Sequence, residues 1–369
     1  MSDGRKLKLL LLQNTIKPYR VPIFNGLAER CELTVAYSSD KSEVEKLEGV
    51  NFKILYIPEW SFFGKFSIQK RNMFSLARDF DAVLSMGNIA YLSFMALGAN
   101  PFRKYGFTIW SLGVSASYTK KYDVQKNWDF LRKTIFNMAD SIVFYTDYPK
   151  LKYEKMGIDP AKMFVANNTV AVADSVPSDL EKDSILFIGS LYPQKGLGTL
   201  LNVYKRVGAY KKLPRLDIIG AGSEFANVEK WIRENKLSDK IFLRGAVYDI
   251  DKKAEYFARA IACVSPCQAG LAVQESMGYG VCFATNSDSF TGGERFDIVH
   301  GQTGILFSEN YGIGDFLAEL ADRPERFINI GKSAKNFYDR FRKPSNMVDG
   351  LWKAVEYAYN KRVIGAESK

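Results

Sequence analysis

The sequence predicts an α/β protein made of two doubly wound domains, each built on a parallel sheet with helices on both faces. Short apolar segments alternate with helical segments through residues 7–166, a polar break follows, and the same alternation resumes at residue 184. Strands separated by helices require right-handed crossovers, which produce parallel sheets. A chain of 369 residues is long enough for two such domains, each with its own core.

In the first half of the chain, apolar runs of strand length are separated by segments with helical periodicity. Strands are predicted at Leu7–Gln13, Leu33–Tyr37, Phe52–Ile57, Asp81–Ser85, Gly106–Trp110, Ser141–Tyr145 and Met163–Ala166. Helices are predicted at Val21–Cys31, Ile68–Phe80, Ala90–Leu97, Val124–Ala139 and Tyr148–Met156.

The second half repeats this alternation and then ends in helices. Strands are predicted at Ser184–Gly189, Arg215–Ile219, Lys240–Leu243, Ala262–Ser265, Val281–Thr285 and Thr303–Phe307. Helices are predicted at Gly196–Val207, Glu224–Asn235, Asp249–Ala258, Leu271–Gly278, Ile313–Leu320, Pro324–Phe341 and Ser345–Asn360.

The domain boundaries follow from the break between the two halves. The polar segment that ends at residue 183 carries Pro177 and has no sustained period, which is typical of a linker. We divide the chain into a first domain at 1–170, a linker at 171–183, a second domain at 184–342 and a terminal segment at 343–369. Two such sheets in tandem predict an inter-domain cleft at the carboxyl ends of both strand sets, where these sheets bind ligands.

The composition indicates a soluble globular protein in a reducing compartment. Hydrophobic residues make up 47% of the chain and charged residues 25%. The longest apolar run, Leu7–Leu12, contains Lys8, is too short to cross a bilayer, and lacks a signal-peptide cleavage site. His300 is the only histidine, so we expect no metal site. The cysteines are too few for a disulfide scaffold, which favours the cytoplasm: Cys31, Cys263, Cys267 and Cys282.

The net charge of +10 is concentrated in the first domain, where eleven Lys or Arg residues oppose four Asp residues between Trp60 and Lys133. Such a patch attracts phosphate groups, including those of an anionic membrane surface. The alternative interpretation is a solvated basic face that has no partner.

Aromatic and basic residues are interleaved in Trp60–Phe80, for which the sequence leaves two interpretations. In one, phenylalanines enter a membrane interface while basic residues meet lipid phosphates, through Phe62, Phe63, Phe66, Lys65, Lys70 and Arg71. In the other, a loop and an amphipathic helix pack on the first sheet. No nucleic-acid motif accompanies the stretch, so we do not expect nucleic acid as a partner.

Two glycine turns follow strands at the start of the second domain. In ILFIGSLYPQKGL, Gly189 allows close backbone approach, and Lys195 lies near a helix start, where the backbone amides and the dipole favour an anion. An ordinary strand-to-helix turn with an exposed lysine is the alternative. In LDIIGAGSE, Gly220 and Gly222 predict a tight turn beside a ligand site. Dinucleotide binding is not favoured, because Phe225 occupies the third glycine position.

The segment Val264–Phe307 combines a helix start with an acid one turn later. Free amides at Gly270 and Leu271 would suit a diphosphate, and the Glu275 carboxylate would suit ribose hydroxyls. Taken alone, Glu275 would also fit an N-terminal helix acid without function. A second glycine loop carries Glu294, and a turn at Gly301–Gly304 follows it.

In order and spacing, these pieces resemble the family 4 retaining glycosyltransferases, a GT-B group that includes many bacterial polysaccharide enzymes. The resemblance covers Ser184–Phe307 well and the first half more loosely, through PYRVPIF, ADSIVFYT and VANNTV. It implies a GT-B fold with two Rossmann-like domains. It also implies a terminal helix, containing Trp352, that crosses back to the first domain.

The resemblance implies a role for each matching position. Lys195 would pair with the donor diphosphate, Glu275 would bind the ribose, and Val247 would lie by the nucleobase. The other donor-side positions implied are Gly189, Ser190, Arg244, Cys267, Gln268, Ala269, Gly270, Leu271, Glu294 and Thr303. On the acceptor side, position at strand ends favours Arg20, Trp110 and Ser111.

The sequence departs from the family pattern at three places. Cys267 stands where the first glutamate of the Glu-x7-Glu motif belongs, with Gln268 as a substitute hydroxyl partner. Ser190 replaces a frequent arginine, and the acceptor-domain histidine is missing from Ile109–Ser115. Family members are thought to use the leaving phosphate as base, so a metal-independent enzyme without a cofactor is expected.

The function predicted from the sequence is transfer of a hexose from a nucleotide sugar. UDP is the expected nucleotide because it is the most frequent one, and no residue of the sequence indicates it. The acceptor would be lipid-linked or a polysaccharide, and the enzyme would be cytoplasmic or peripheral on the inner face of the membrane. A sugar-nucleotide epimerase of the same fold and a non-catalytic nucleotide-sugar-binding or assembly protein remain as alternatives.

Overall fold

The computed structural model describes residues 5–64, 66–117, 121–124 and 127–367. Contacts divide the chain into two compact units. The first unit comprises Met1–Ser115, Gln125–Asn168 and Pro344–Lys369, and the second comprises Ala116–Val124 and Thr169–Lys343.

These units differ from the domain boundaries drawn on the sequence at two places. Residues 171–183 group with the second unit instead of standing apart, because Val172 and Val176 pack against its core and the Ala173 amide donates to the Tyr279 hydroxyl at 3.2 Å. Residues 116–124 also group with the second unit.

The regular elements, in chain order, are as follows. The strands are β1 Lys8–Leu12, β2 Glu32–Tyr37, β3 Lys53–Tyr56, β4 Glu59–Phe62, β5 Phe66–Gln69, β6 Ala82–Met86, β7 Gly106–Ser111, β8 Ala116–Ser117, β9 Lys121–Tyr122, β10 Ser141–Phe144, β11 Met163–Val165, β12 Ser184–Ile188, β13 Arg215–Ile219, β14 Ile241–Gly245, β15 Ala260–Val264, β16 Gln268–Ala269, β17 Cys282–Asn286, β18 Phe290–Thr291 and β19 Ile305–Phe307. The helices are α1 Val21–Arg30, α2 Lys41–Val44, α3 Met73–Ala77, α4 Leu92–Ala99, α5 Asp129–Met138, α6 Asp147–Lys155, α7 Leu197–Gly208, α8 Phe225–Glu234, α9 Ile250–Arg259, α10 Ala272–Gly278, α11 Ile313–Asp322, α12 Pro324–Phe341 and α13 Pro344–Glu367.

The first unit is built on a seven-stranded parallel sheet in the order β11-β10-β7-β6-β1-β2-β3. β1 is an interior strand and its residues Leu9–Leu12 are fully buried, as expected of a strand covered on both faces. Helices α1 and α13 cover one face, where Phe24 and Leu351 join the core. Helices α3 to α6 cover the other face through residues such as Phe94 and Tyr153.

The second unit is built on a six-stranded parallel sheet in the order β14-β13-β12-β15-β17-β19. The chain leaves β12 toward one edge and returns at β15 toward the other, so the strand order reverses between these two neighbours. Helix α7 packs on one face through Leu200 and Tyr204. Helices α9 and α10 pack on the opposite face through Phe257 and Val273.

The predicted helix Ile68–Phe80 is wrong. β4 (Glu59–Phe62) pairs antiparallel with β5 (Phe66–Gln69) as a hairpin, and in this segment only Met73–Ala77 is helical among the described residues. Large apolar residues alternate with polar ones in both strands, Trp60 and Phe62 in β4 and Phe66 and Ile68 in β5, which is the two-residue period of a hairpin. The predicted helix at Val124–Ala139 begins at Asp129, and residues 125–126 lie outside the described part of the chain.

Two features of the described residues bear on the type of protein. All four cysteines are free thiols, three of them buried and Cys267 partly exposed. In the ranges that the structure describes, no helix is long and apolar enough to cross a membrane.

Candidate functional site

Two loops of the second unit meet where its strand order reverses. One follows β12 and contains Gly189 and Lys195, and the other follows β15 and contains Cys267. The Cys267 amide donates to the Lys195 carbonyl at 3.4 Å, which joins the loops. Because the chain passes from β12 to α7 on one face and from β15 to α10 on the other, a crevice opens between the loops at the carboxyl edge.

Lys195 is a partly buried cation in this crevice. It ends a 3-10 turn at Pro193–Lys195, and Gly196, with φ of +76°, then redirects the chain into α7. Its side chain lies over Gly189, where an added Cβ would be 3.7 Å from Nζ. Burial lowers the pKa of Lys195, and no carboxylate among the described residues offsets this effect. An uncompensated cation in a crevice is suited to an anionic ligand.

Glycines hold the Lys195 loop against the next loop of the sheet. A Cβ at Gly220 would lie 1.8 Å from the Gly189 carbonyl oxygen, and one at Gly222 would lie 2.4 Å from the Leu191 oxygen. The Leu191 amide donates to the Ala221 carbonyl at 2.8 Å. The predicted tight turn is therefore present, and its glycines are required by backbone-to-backbone packing.

Cys267 is packed against the same turn. A Cβ at Gly196 would lie 2.5 Å from Cys267 Sγ, so only glycine leaves room for the thiol at this position. Burial, and secondarily Asp288, raises the pKa of Cys267, which keeps the thiol neutral at pH 7. Cys267 stands where the family pattern has a glutamate, so this position places no negative charge near Lys195.

The chain after Cys267 leads directly into α10. Gln268 and Ala269 form β16, which pairs with β18, and Ala269 is fully buried. The helix begins at Ala272, and the Leu271 carbonyl accepts from the Glu275 amide at 2.9 Å. No backbone acceptor in the described ranges takes the amide protons of Gly270 or Leu271, so both amides are available at the crevice.

Glu275 lies in α10 and is buried together with a lysine that the sequence did not single out. Lys253 Nζ, from α9, donates to Glu275 Oε1 at 2.9 Å. The ion pair places a cationic partner beside this carboxylate within the fold. No sequence signal could have identified Lys253, because the contact depends on how α9 packs beside α10.

Three of the implied donor-side residues are committed to local contacts. Arg244 Nε donates to the buried Asp217 at 2.7 Å, and its guanidinium lies over the Phe242 ring. Glu294 accepts from the Gly292 amide at 2.8 Å, and the Thr303 hydroxyl donates to the Asp297 carbonyl at 2.7 Å. These contacts stabilise loops, so the charge that faces the crevice is left to Lys195.

The remaining donor-side residues are placed as follows. Ser190 is exposed directly after Gly189, and Val247 packs against the core that contains Phe257 and Tyr279. His300 is exposed, and its Nδ1 lies 3.1 Å from the Leu306 carbonyl oxygen in a turn.

The acceptor-side residues come together in the first unit. The Arg20 guanidinium lies 4.9 Å from the Trp110 ring centroid and 5.7 Å from that of Tyr145, and it donates to the Tyr145 hydroxyl at 3.2 Å. The Trp110 indole nitrogen is buried without a hydrogen-bond partner in the described residues. Ser111 follows Trp110 and donates to the Gly87 carbonyl at 3.4 Å.

A comparison with known families finds a match within the second unit. Residues 182–327 match the family model described as glycosyl transferases group 1. Over these residues the chain is similar to the group 1 glycosyl transferases. The matched range contains both loops of the crevice and every donor-side residue implied by the sequence.

A curated relative of the chain is the poly(glycerol-phosphate) alpha-glucosyltransferase of Bacillus subtilis (strain 168). It is 22% identical over 240 residues, and the match covers 62% of this chain and 34% of the relative. The chain therefore spans about a third of the length of that relative.

Solved structures show the fold. The chain is similar to Anabaena Alr3699/HepE in complex with UDP and glucose, with a TM-score of 0.69, 14% identity, and coverage of 95% of this chain and 99% of that one. It is also similar to a mutant of S. aureus TarM in complex with fondaparinux, alpha-GlcNAc-glycerol and UDP, with a TM-score of 0.67, 11% identity and the same coverage. With the two parallel sheets, these likenesses confirm the predicted GT-B fold.

Replacement of Gly220 by alanine should destabilise the second unit. The new Cβ would collide with the Gly189 carbonyl, and φ of +153° is strained for an L side chain. We expect a loss of about 2–4 kcal/mol in the free energy of unfolding, measured by urea denaturation.

Gly198→Ala is the matched control, because its Cβ meets open space within α7 and should add about 0.5–1 kcal/mol. Equal unfolding midpoints for the two variants would contradict the close packing of these loops.

Proposed function

We propose that the chain is a glycosyltransferase that transfers a hexose from a nucleoside-diphosphate sugar, with UDP as the nucleotide, to an acceptor in cell-surface glycan synthesis. The observation that carries the proposal is the partly buried Lys195, which has no carboxylate partner in the described residues and lies where the sheet order reverses in a group 1 glycosyl transferase domain. Similar proteins support UDP as the nucleotide, since the structures of Anabaena HepE and S. aureus TarM were solved with UDP.

The diphosphate would bind across the crevice. Lys195 would neutralise it from the β12 loop, while the amides of Gly270 and Leu271 would donate from the β15 loop. Because Lys195 has already lost hydration in the free protein, its attraction to an anion is stronger than that of a surface lysine. As the diphosphate leaves the sugar, its charge increases, and this fixed cation stabilises the developing charge.

The ribose would bind at Glu275. Lys253 holds one oxygen of the carboxylate, which fixes the side chain for hydrogen bonds from two ribose hydroxyls. Val247 would lie near the base.

The transferred sugar would lie toward Cys267 and Gln268. A neutral thiol in place of a carboxylate cannot accept the strong hydrogen bonds that a family glutamate would accept, so Gln268 would supply the polar contact to sugar hydroxyls.

We propose retention of anomeric configuration without a protein base, a metal ion or a cofactor. The bond from the anomeric carbon to the diphosphate oxygen breaks, and the acceptor hydroxyl oxygen bonds to the same face. The hydroxyl proton goes to the departing phosphate oxygen. The placement of His300, exposed in a turn and engaged with the Leu306 backbone, supports a base supplied by the substrate.

The acceptor would be lipid-linked or a polysaccharide and would approach the first unit at the Arg20, Trp110 and Ser111 cluster. The Arg20 guanidinium contacts aromatic rings, and no carboxylate among the described residues pairs with it. Its charge is therefore available to attract an anionic acceptor. The enzyme would act in the cytoplasm, peripherally at the inner face of the membrane.

Cys267 favours a second candidate, a non-catalytic nucleotide-sugar-binding protein. Such a protein would keep the diphosphate and ribose contacts and lack transfer, because the altered residue lies at the sugar end of the crevice.

The test of the proposed function is a thermal-shift and calorimetric screen with UDP-, GDP-, ADP- and dTDP-sugars. We expect the UDP series to raise the unfolding temperature and to bind with one site per chain. Transfer to a glycan panel then separates the enzyme from the non-catalytic protein. Absence of binding by every nucleotide sugar would contradict both candidates.

Lys195→Gln should weaken UDP binding by roughly 10- to 100-fold, the value of a charge-assisted hydrogen bond. Calorimetric titration with UDP gives the dissociation constants. Lys252→Gln removes an exposed lysine beside Lys253 and serves as the control, with an expected change below about twofold. Equal affinities for the two variants would argue against a diphosphate contact at Lys195.

Cys267 should be the first thiol to be alkylated and yet react slowly at neutral pH. It is partly exposed while the other three cysteines are buried, and its raised pKa means that thiolate accumulates only at alkaline pH. Iodoacetamide labelling followed by peptide mapping should show a rate that is low at pH 7 and still rising above pH 9. UDP-sugar should slow it further.

A labelling rate that levels off below pH 8 would contradict the neutral thiol. Cys267→Ser provides the blank for the labelled peptide.

A further inference from the structure

We propose that one face of the first unit docks on an anionic lipid bilayer, with the β4–β5 hairpin as the inserting element. This deepens the membrane location in the proposed function by naming the surface responsible. The surface, called the aromatic face below, consists of the exposed side chains on the hairpin and on the layer of helices α3 to α6: Trp60, Phe62, Phe63, Phe66, Phe102 and Phe130.

The tip of the hairpin presents a phenylalanine where the backbone disfavours one. Phe63 is 94% exposed and has φ of +50°, and Gly64 follows with φ of +60°. A left-handed residue at a hairpin tip is normally glycine, asparagine or aspartate. A bulky aromatic side chain there is unfavourable both for the backbone and for hydration. Insertion into a lipid interface would compensate for both effects.

The exposed aromatic side chains continue over adjacent elements. Phe102, after α4, is 88% exposed, and Phe130, in the first turn of α5, is 78% exposed. Helix α4 contacts β5, α3 and α5, so the hairpin and these helices form one layer on one side of the sheet.

The opposite side of the same sheet provides an internal comparison. Helices α1 and α13 present no large exposed apolar side chain among the residues described there. The asymmetry is unlike a random scatter of surface hydrophobic residues and is typical of an interaction face.

Exposed basic residues lie on the same layer as the aromatic face. Lys70 Nζ lies 5.4 Å from the Trp60 ring centroid, beside the hairpin. Arg71, Arg78 and Lys104 are exposed, and none of the four forms an ion pair with a residue in the described ranges. Lys65 lies outside those ranges. Exposed acids on the same layer include Asp79, Asp147 and Glu154, so attraction to anionic lipid comes from local clustering beside the aromatic residues.

The charge pattern favours lipid over a second copy of the chain. A symmetric dimer through this face would bring two sets of lysines and arginines together, which is unfavourable. A bilayer supplies phosphates at the level of the basic rim and an apolar layer below it for Phe63, Phe102 and Phe130.

The experiment is co-sedimentation of the full chain with vesicles of phosphatidylcholine alone or with phosphatidylglycerol added at about one anionic lipid in three. We expect binding to the anionic vesicles, weakening as salt is raised from roughly 0.1 to 0.5 M. Phe63→Gly should reduce it by roughly tenfold, the effect of losing one buried aromatic side chain. Glycine suits the left-handed backbone at position 63, so this variant should fold at least as stably as the parent.

Tyr248→Ser is the matched control, because Tyr248 is 87% exposed on the second unit and should not affect vesicle binding. Equal effects of the two substitutions, or no binding of the parent chain to anionic vesicles, would overturn the proposal. So would a dimer in analytical ultracentrifugation that Phe63→Gly dissociates, since the second copy would then be the occupant.

The same samples are tested for thermal stabilisation by UDP-sugar. Vesicle binding without nucleotide binding would refute the proposed function and leave the docking surface in place. Nucleotide binding without vesicle binding would refute the docking surface and leave the proposed function in place.

Discussion

The close approach of two backbone loops at Gly189 and Gly220 is the constraint on which the second unit's site depends. No side chain fits between the Gly220 Cα and the Gly189 carbonyl, so the loop after β12 is held against the loop after β13. That contact fixes the turn which carries Lys195, and Gly196 then admits the Cys267 thiol from the β15 side. The position of the cation therefore follows from two glycines, Gly220 and Gly196, which let backbone and sulfur approach more closely than any other residue would.

The electrostatics of the crevice follow from this packing. Lys195 is partly buried and has no carboxylate partner among the described residues, and its neighbour Cys267 is neutral, whereas the family pattern has an acid there. The one buried carboxylate on α10, Glu275, is instead paired with Lys253. Positive charge is thus concentrated at the diphosphate end of the proposed ligand, and the two proposed sugar contacts, Cys267 and Gln268, are neutral side chains. We therefore expect the nucleotide part of the donor to contribute more to the free energy of binding than the sugar part.

The extent to which the sequence predicted these features depended on whether the signal was local. The parallel sheets, the glycine turns and Lys195 were predictable because each depends on periodicity or on residues within one loop. The β4–β5 hairpin was missed because aromatic and basic residues at Trp60–Phe80 fit a helix as well as a strand pair. The Arg244–Asp217 pair and the Lys253–Glu275 pair arise from the register of neighbouring strands and from helix packing, which no local pattern encodes.

A crystal structure of the chain with UDP would show whether the β12 and β15 loops form a diphosphate site. We predict a diphosphate within hydrogen-bond distance of Lys195 Nζ and of the Gly270 or Leu271 amide, with a ribose hydroxyl on the Glu275 carboxylate. A UDP molecule bound elsewhere, with Lys195 still unpaired and the Glu275–Lys253 pair facing no ligand, would contradict the account.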